Sequence, residues 1–353
     1  MLSCTCSIQD GAATLYHIPE SFRHDQVTLV YGLASKMGVL ITGAAGFIGS
    51  HTVDAFLRQQ HAVIGVDDLS TGRLQNLAGA RDSRNFTFVR GDITDQAFVS
   101  SLISEHGVDR IIHLAGMAGV AQSMENPGEN FRLNVAAVDT LARAAITNRC
   151  KKFVLASSAA VYGIPARLPL TEEQSPCTPL SPYGAAKLAA EKILEGYARA
   201  FGLECVILRY FNVYGPRQNP DSEYSGVISR FCAQLASGDT LTIYGDGQQT
   251  RDFIYVGDVA QVNLNAALAP ISAIGVYNVS TGNETSINEL AALLASQLGA
   301  EVKTRHVAAK SGDITQSLGD SIRLRSAGLI STFTPLRAGL QNTVHSPVFE
   351  PTK

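Results

Sequence analysis

Residues 39–49 read Val39-Leu40-Ile41-Thr42-Gly43-Ala44-Ala45-Gly46-Phe47-Ile48-Gly49: an apolar run, a glycine-rich turn and the start of an amphipathic segment reaching Gln60. The run predicts a buried strand and the segment predicts a helix. Glycines at 43, 46 and 49 let the backbone turn tightly and approach a pyrophosphate with no side chain in the way. The helix N-terminus then offers unpaired N–H groups and a positive dipole end to the phosphates. Such a triplet alone also describes a surface turn; strand before, helix after and acid downstream make it a dinucleotide-binding loop. The acid is Asp67, which ends the run Ala62–Val66 and lies eighteen residues beyond Gly49. A carboxylate there accepts hydrogen bonds from both adenosine ribose hydroxyls and repels a 2′-phosphate, which selects NAD over NADP.

Outward from this loop, β-branched runs alternate with helical stretches. Strands are expected at 39–42, 62–66, 86–90, 110–114, 152–156 and 204–209, and helices at 48–60, 96–106, 129–148 and 182–201. This alternation predicts an α/β fold: a doubly wound parallel sheet of Rossmann type, with a smaller C-terminal α/β substrate lobe. Ligands then bind beyond the carboxyl ends of the strands, where Gly43, Asp67, Asp92, His113–Gly116 and Ser157-Ser158 fall. The expected division is an irregular extension over 1–36, an NAD-binding domain over 37–210, a mainly substrate-binding lobe over 211–340 and a tail over 341–353. Residues 1–36 lack a secretory hydrophobic core and an arginine-rich amphipathic pattern. Met37, directly before the first strand, is read as the start, with the preceding stretch either a translation-start artefact or a short extension.

The 353 residues can bury a sizeable core, with 45% hydrophobic and 17% charged residues as in a soluble enzyme. A net charge of −3 gives no support for a nucleic-acid or acidic-membrane partner. Six scattered cysteines include one close pair, Cys4-Thr5-Cys6, whose spacing is not that of a zinc site, so no metal is expected. All six are read as reduced thiols of a cytoplasmic protein.

Ser181-Pro182-Tyr183-Gly184-Ala185-Ala186-Lys187 opens the longest helical segment. Ser181 suits an N-cap and Pro182 the first helical position. Tyr183 and Lys187 are then one turn apart on one face, where an ammonium is expected to favour the phenolate and lower the tyrosine pKa. A Tyr-x-x-x-Lys pair also describes an exposed helix face. Ser157 and Ser158, at a strand end, supply a hydroxyl for the same substrate oxygen.

At these residues the chain resembles the extended short-chain dehydrogenase/reductase family, and within it the NAD-dependent nucleotide-sugar 4-epimerases, over residues 38–340. The strings that carry the resemblance are 39–50, 66–72, 91–93, 113–120, 157–163, 183–187, 209–217 and 244–258. It implies that Gly43, Gly46, Phe47, Ile48 and Gly49 contact the pyrophosphate, Asp67 the adenosine ribose, and Asp92 and Ile93 the adenine. Leu114, Ala115 and Gly116 line the nicotinamide side, with Tyr210 nearby, and Ser158, Tyr183 and Lys187 match the catalytic trio. The implied reaction removes the proton of the sugar 4-hydroxyl at Tyr183, passes the C4 hydride to NAD, turns the 4-keto sugar and returns the hydride. Dehydratases that share the scaffold typically carry an Asp-Glu pair just after the serine or threonine, because eliminating water needs an acid and a base at neighbouring carbons. Ala159 and Ala160 stand there, which leaves epimerisation.

For the substrate, Arg251 follows a glycine-rich turn, and its guanidinium suits a diphosphate clamp or a surface salt bridge. The resemblance adds Asn212, Val227, Tyr244 and Asp313 as UDP contacts and puts Lys310 where the epimerases usually present a second phosphate-binding arginine. Ser317 matches a gate beside the sugar C2 group: a small residue leaves room for an N-acetyl group, unless the loop register slips. The expected substrates are therefore UDP-N-acetylglucosamine and UDP-N-acetylgalactosamine, with UDP-glucose and UDP-galactose beside them. A UDP-glucuronate 4-epimerase, a net oxidoreductase releasing NADH and a non-catalytic NAD sensor are the rivals. His51 and His61 are read as solvated, His113 as structural, Met117 and Phe131 as packing. The alanine-rich face at 185, 186, 189 and 190 points to a homodimer, as in related enzymes.

Overall fold

The structure, a computed structural model, describes residues 38–219, 226–270, 274–299, 301, 303–309 and 314–346. Strands β1 (Gly38–Thr42), β2 (Ala62–Asp67), β3 (Phe86–Arg90), β4 (Val108–His113), β5 (Lys152–Ser158) and β6 (Glu204–Tyr210) are all parallel and join the edge strand Ile274–Val279. Their order across the sheet is β3-β2-β1-β4-β5-β6 and then Ile274–Val279. The order reverses between β1 and β4, which opens a crevice beyond their carboxyl ends.

Both faces are covered, as a parallel sheet requires. Helices α1 (Phe47–Arg58) and Val256–Leu268 close one face around Val39, Ile41, Val53, Phe56 and Val259. Helices α2 (Gln96–Glu105), Ala137–Thr147 and Pro182–Phe201 close the other around Leu40, Ile103, Leu141 and Leu194. Asp95 caps α2 by accepting from the Ala97 and Phe98 amides.

Two elements beyond residue 210 join the seven-stranded sheet rather than the lobe: the strand Ile274–Val279 at its edge and the helix Val256–Leu268 on its face. The lobe has its own core: helices Val227–Ala236 and Ile287–Leu298 and strand Leu241–Tyr244, with Phe231, Leu241, Ile243 and Leu290 inside. Helix Leu336–Val344 buries Leu340 and Val344 against it, so position 341 falls within the lobe's packing. The single helix expected over 129–148 is instead Pro127–Phe131, a π-turn at Arg132–Ala136 and Ala137–Thr147. Within the π-turn, the Asn134 side-chain amide donates to the Met117 carbonyl and the Asn130 Oδ1 at 3.0 and 2.8 Å.

Candidate active site

The glycine loop runs from β1 into α1. Gly43 takes φ +68°, and a Cβ there would lie 2.8 Å from the Ala115 amide nitrogen. A Cβ on Gly49 would lie 1.9 Å from the Gly43 carbonyl oxygen, so backbone must touch backbone at this point. The loop after β4 is fixed against it by the Thr42 hydroxyl, which accepts from the Leu114 and Ala115 amides at 3.1 and 3.2 Å. With its lone pairs so engaged, that hydroxyl donates to His113 Nδ1 at 2.8 Å, which leaves the proton on Nε2. Burial pushes His113 down to about 3, so it stays neutral, a structural imidazole as expected, though bonded to a side chain rather than to backbone.

Asp67 ends β2 almost wholly buried. Oδ2 accepts from the Ala45 amide and Oδ1 from the Leu69 amide, both at 2.9 Å. A carboxylate has about four lone-pair sites, so each oxygen keeps one for a further donor. Beside it, Asp92 accepts from Thr94 and pairs with Arg132 at 2.9 Å, and Ile93 is buried.

Ser181 caps the helix Pro182–Phe201 by accepting from the Gly184 amide at 3.1 Å. The Tyr183 amide donates to Ser123 Oγ, and the Pro182 carbonyl accepts from Asn130, so two neighbouring helices hold this first turn. The Tyr183 phenol and the Ser158 hydroxyl share a hydrogen bond, and Ser158 Oγ also accepts from the Ala160 amide. Lys187 Nζ donates to the Ala156 carbonyl at 3.1 Å and lies 5.9 Å from the centre of the Tyr183 ring. The trio is therefore brought together at the carboxyl end of β5. The electrostatic expectation is corrected: burial pushes the Tyr183 phenol up, with only the Ser158 hydrogen bond pulling it back. Lys187 itself is buried and driven down to about 8, with Glu191 opposing. Desolvation sets the direction for both groups.

Tyr210 pairs in register with Ser158 at the ends of β6 and β5. Its hydroxyl donates to Asn263 Oδ1 at 2.5 Å, on the helix that packs against α1. His51 is corrected as well: Nε2 donates to the Pro216 carbonyl at 3.0 Å and burial lowers it to about 4. Phe131, expected as packing, is 59% exposed, whereas Met117 is buried.

In the lobe, Ser317 pairs in register with Arg251, the two lying on adjacent short strands. Asp252 anchors the junction by accepting from Thr281, Gly282 and Gly319, and its backbone carbonyl accepts from the Asn212 side-chain amide. Val227 opens the helix Val227–Ala236, and one turn on, Arg230 lies over the Tyr244 ring. A cavity of about 280 Å³ is lined by Arg230, Phe231, Gln234, Thr242, Tyr244 and Arg305. Lys310 and Asp313 lie outside the described residues.

Residues 39–280 match the NAD dependent epimerase/dehydratase family. The chain belongs to that family. Among curated relatives of this epimerase/dehydratase chain, UDP-glucose 4-epimerase of Mycolicibacterium smegmatis is 40% identical over 309 residues, covering 87% of this chain and 97% of the relative. Two solved structures are similar at 35% identity: UDP-glucose 4-epimerase of Thermotoga maritima with UDP-glucose (TM-score 0.82, covering 87% of this chain and 97% of that one) and UDP-N-acetylglucosamine 4-epimerase from Methanobrevibacter ruminantium (TM-score 0.81, covering 88% and 97%).

The residues present fit the family's NAD. The loop is a cradle that a Cβ at Gly49 would break, and Asp67 offers buried acceptor positions suited to ribose hydroxyls. Among the four described cysteines all are free thiols, and among the described residues no helix is long and apolar enough to cross a membrane. Gly49→Ala is expected to lose about 1–3 kcal/mol of stability and to purify with far less NAD. Gly79→Ala, where a Cβ meets nothing within 4 Å, serves as the control for melting temperature and released NAD.

Proposed function

We propose that this chain is an NAD-dependent UDP-sugar 4-epimerase that interconverts UDP-N-acetylglucosamine and UDP-N-acetylgalactosamine, and UDP-glucose and UDP-galactose beside them. The observation that carries the sugar assignment is Ser317, a small residue half-buried at the register partner of Arg251. A hydroxymethyl side chain there leaves space for an N-acetyl group that a tyrosine would fill.

In this reading Tyr183 takes and returns the proton of the sugar 4-hydroxyl, and Ser158, already bonded to that phenol, holds the reacting oxygen. Lys187 serves the nicotinamide ribose and keeps a positive charge beside the phenol. Bound NAD supplies reversible hydride acceptance at C4. Arg251, Asn212, Val227 and Tyr244 bind the UDP, together with Lys310 and Asp313 on the sequence reading. Ala159 and Ala160 form a short turn after Ser158, with no carboxylate at the dehydratase positions. We propose a homodimer formed by the alanine-rich face at 185, 186, 189 and 190 together with the helical stretch near 129–148, on which Phe131 is 59% exposed.

The test is proton NMR of UDP-N-acetylglucosamine incubated with purified protein and no added NAD. Appearance of UDP-N-acetylgalactosamine supports the reading. Conversion of UDP-glucose alone removes the N-acetyl assignment, and conversion of UDP-glucuronate alone replaces it. Ser317→Tyr is expected to cut turnover of the acetylated sugar by more than about 10-fold, the scale of a 1–3 kcal/mol pocket clash. UDP-glucose turnover should stay within about 3-fold of wild type. Equal effects on both sugars would sink the gate.

A further inference from the structure

Glu191 stands one helical turn beyond Lys187 and is fully buried, a costly place for a carboxylate unless it is paired. Its oxygens are engaged from two strands. Ser157, on β5 directly before Ser158, donates its hydroxyl at 2.5 Å, and Arg209, on β6, donates Nε and Nη2 at 3.0 and 2.7 Å. Arg209 Nη1 continues to the Tyr162 hydroxyl at 3.0 Å, and that hydroxyl donates to Asn278 Oδ1 at 2.7 Å. Asn278 lies on the edge strand Ile274–Val279, and its amide donates to the Leu170 carbonyl at 2.9 Å. The chain of bonds thus ties the catalytic helix to three strands and to the turn that follows Ser158.

We propose that Glu191 is a positioning residue: clamped by Ser157 and Arg209, it fixes the helix Pro182–Phe201 against β5 so that Tyr183 meets Ser158, and it sets an anion one turn from Lys187. Ala190 and Leu194 pack the middle of the helix on the sheet by contact alone, and the Glu191 pair adds a directional tie beyond those at its first turns. The bidentate pair admits one rotation and one height. Charge adds a second role. Lys187 is faced by neutral His113 from β4, by the Ala156 carbonyl from β5, by Tyr183 and Glu191 on its own helix, and across Glu191 by Arg209 from β6. Glu191 is the anion in that set, and it opposes the loss of the Lys187 proton that burial causes.

The inference rests on the reading of Tyr183 and Lys187 as the catalytic pair. Glu191→Gln in the full chain is expected to lower kcat by about 10²-fold, the scale of a small misplacement of reacting groups, with KM for the UDP-sugar changed much less. Its alkaline limb of kcat moves to lower pH, because Lys187 loses its proton sooner. Glu191→Asp keeps the charge but shortens the reach; it is expected to lose kcat while holding the wild-type limb, and it carries the test if the glutamine variant does not fold. An unchanged kcat in either variant, or a lowered kcat with the alkaline limb unmoved in Glu191→Gln, overturns the proposal. A readout without turnover is the ultraviolet titration of Tyr183, taken as the difference from Tyr183→Phe. Glu191→Gln should raise its midpoint, because a displaced helix loses the Ser158 hydrogen bond that pulls the phenol down. A protein that converts no UDP-sugar yet shows this shift would lose the substrate assignment and keep the positioning role.

Discussion

Tyr183→Phe is expected to lower UDP-sugar turnover by about 10²–10⁴-fold, the contribution of a positioned general base, while the variant keeps its fold and its NAD. The magnitude follows from what the phenol does and from what surrounds it. The ring is 9% exposed, so no water stands ready to replace the lost oxygen as proton acceptor. Ser158 cannot take over as base: an alcohol has no ionisation near neutrality, and its Oγ already accepts from the Ala160 amide. The structural cost is small. The phenylalanine ring fills the same volume, and the first turn of the helix is held by backbone groups, the Tyr183 amide on Ser123 and the Pro182 carbonyl on Asn130. Burial also disfavours the polar group that the change removes. Turnover by proton NMR, NAD released on denaturation and the melting temperature check the three parts separately. A variant retaining a tenth of wild-type turnover would remove Tyr183 from the role of base, and a non-catalytic NAD-binding protein would be indifferent to the change.

The fold was legible where local chemistry and tertiary packing agree. Val39–Gly49 contains strand, turn and helix start in one stretch, and Ser181-Pro182 marks a helix whose cap forms as its residue types predict. The strand Ile274–Val279 was not legible, because it follows a long excursion of the chain and pairs with β6 at the sheet edge. Nor was the π-turn at Arg132–Ala136, since an apolar periodicity does not reveal that Asn134 is held by Met117 and Asn130. The site shows the same division. Tyr183, Lys187 and Ser158 converge as spacing and order suggested, yet the charge balance did not follow from spacing. Whether a lysine lowers a neighbouring tyrosine depends on how far both are desolvated, and that is a property of the assembled sheet and helices. His51 was misjudged for a like reason: its partner, the Pro216 carbonyl, lies 165 residues away in sequence. Arg230 and Arg305 come from separate elements and meet only around the cavity beside Tyr244.

Lys187→Met is expected to abolish useful turnover and, at the same time, to stabilise the NAD-free protein at pH 7. The ammonium is buried and its pKa falls from 10.5 to about 8. A base whose folded pKa lies below its unfolded value binds its proton less well when folded, so it opposes folding at every pH below about 8. That penalty fades as pH rises from 8 towards 10.5 and is absent above both values. A shift of this size corresponds to about 3 kcal/mol, offset in part by the hydrogen bond that Nζ gives the Ala156 carbonyl. Methionine has similar length and no charge, so it fills the space without the desolvation cost. The sign of the pH dependence is the discriminating feature. The melting temperature of Lys187→Met should exceed that of wild type at pH 7, and the gap should close between pH 8 and 10.5. Kinetics should move the other way, because the cation beside the phenol and the contact proposed for it with the nicotinamide ribose go together. A methionine variant less stable than wild type across the whole range would mean that Lys187 is held by compensating partners and is not strained by burial. A more stable but inactive variant identifies Lys187 as a residue kept at a cost to stability, a cost that only its part in the reaction explains.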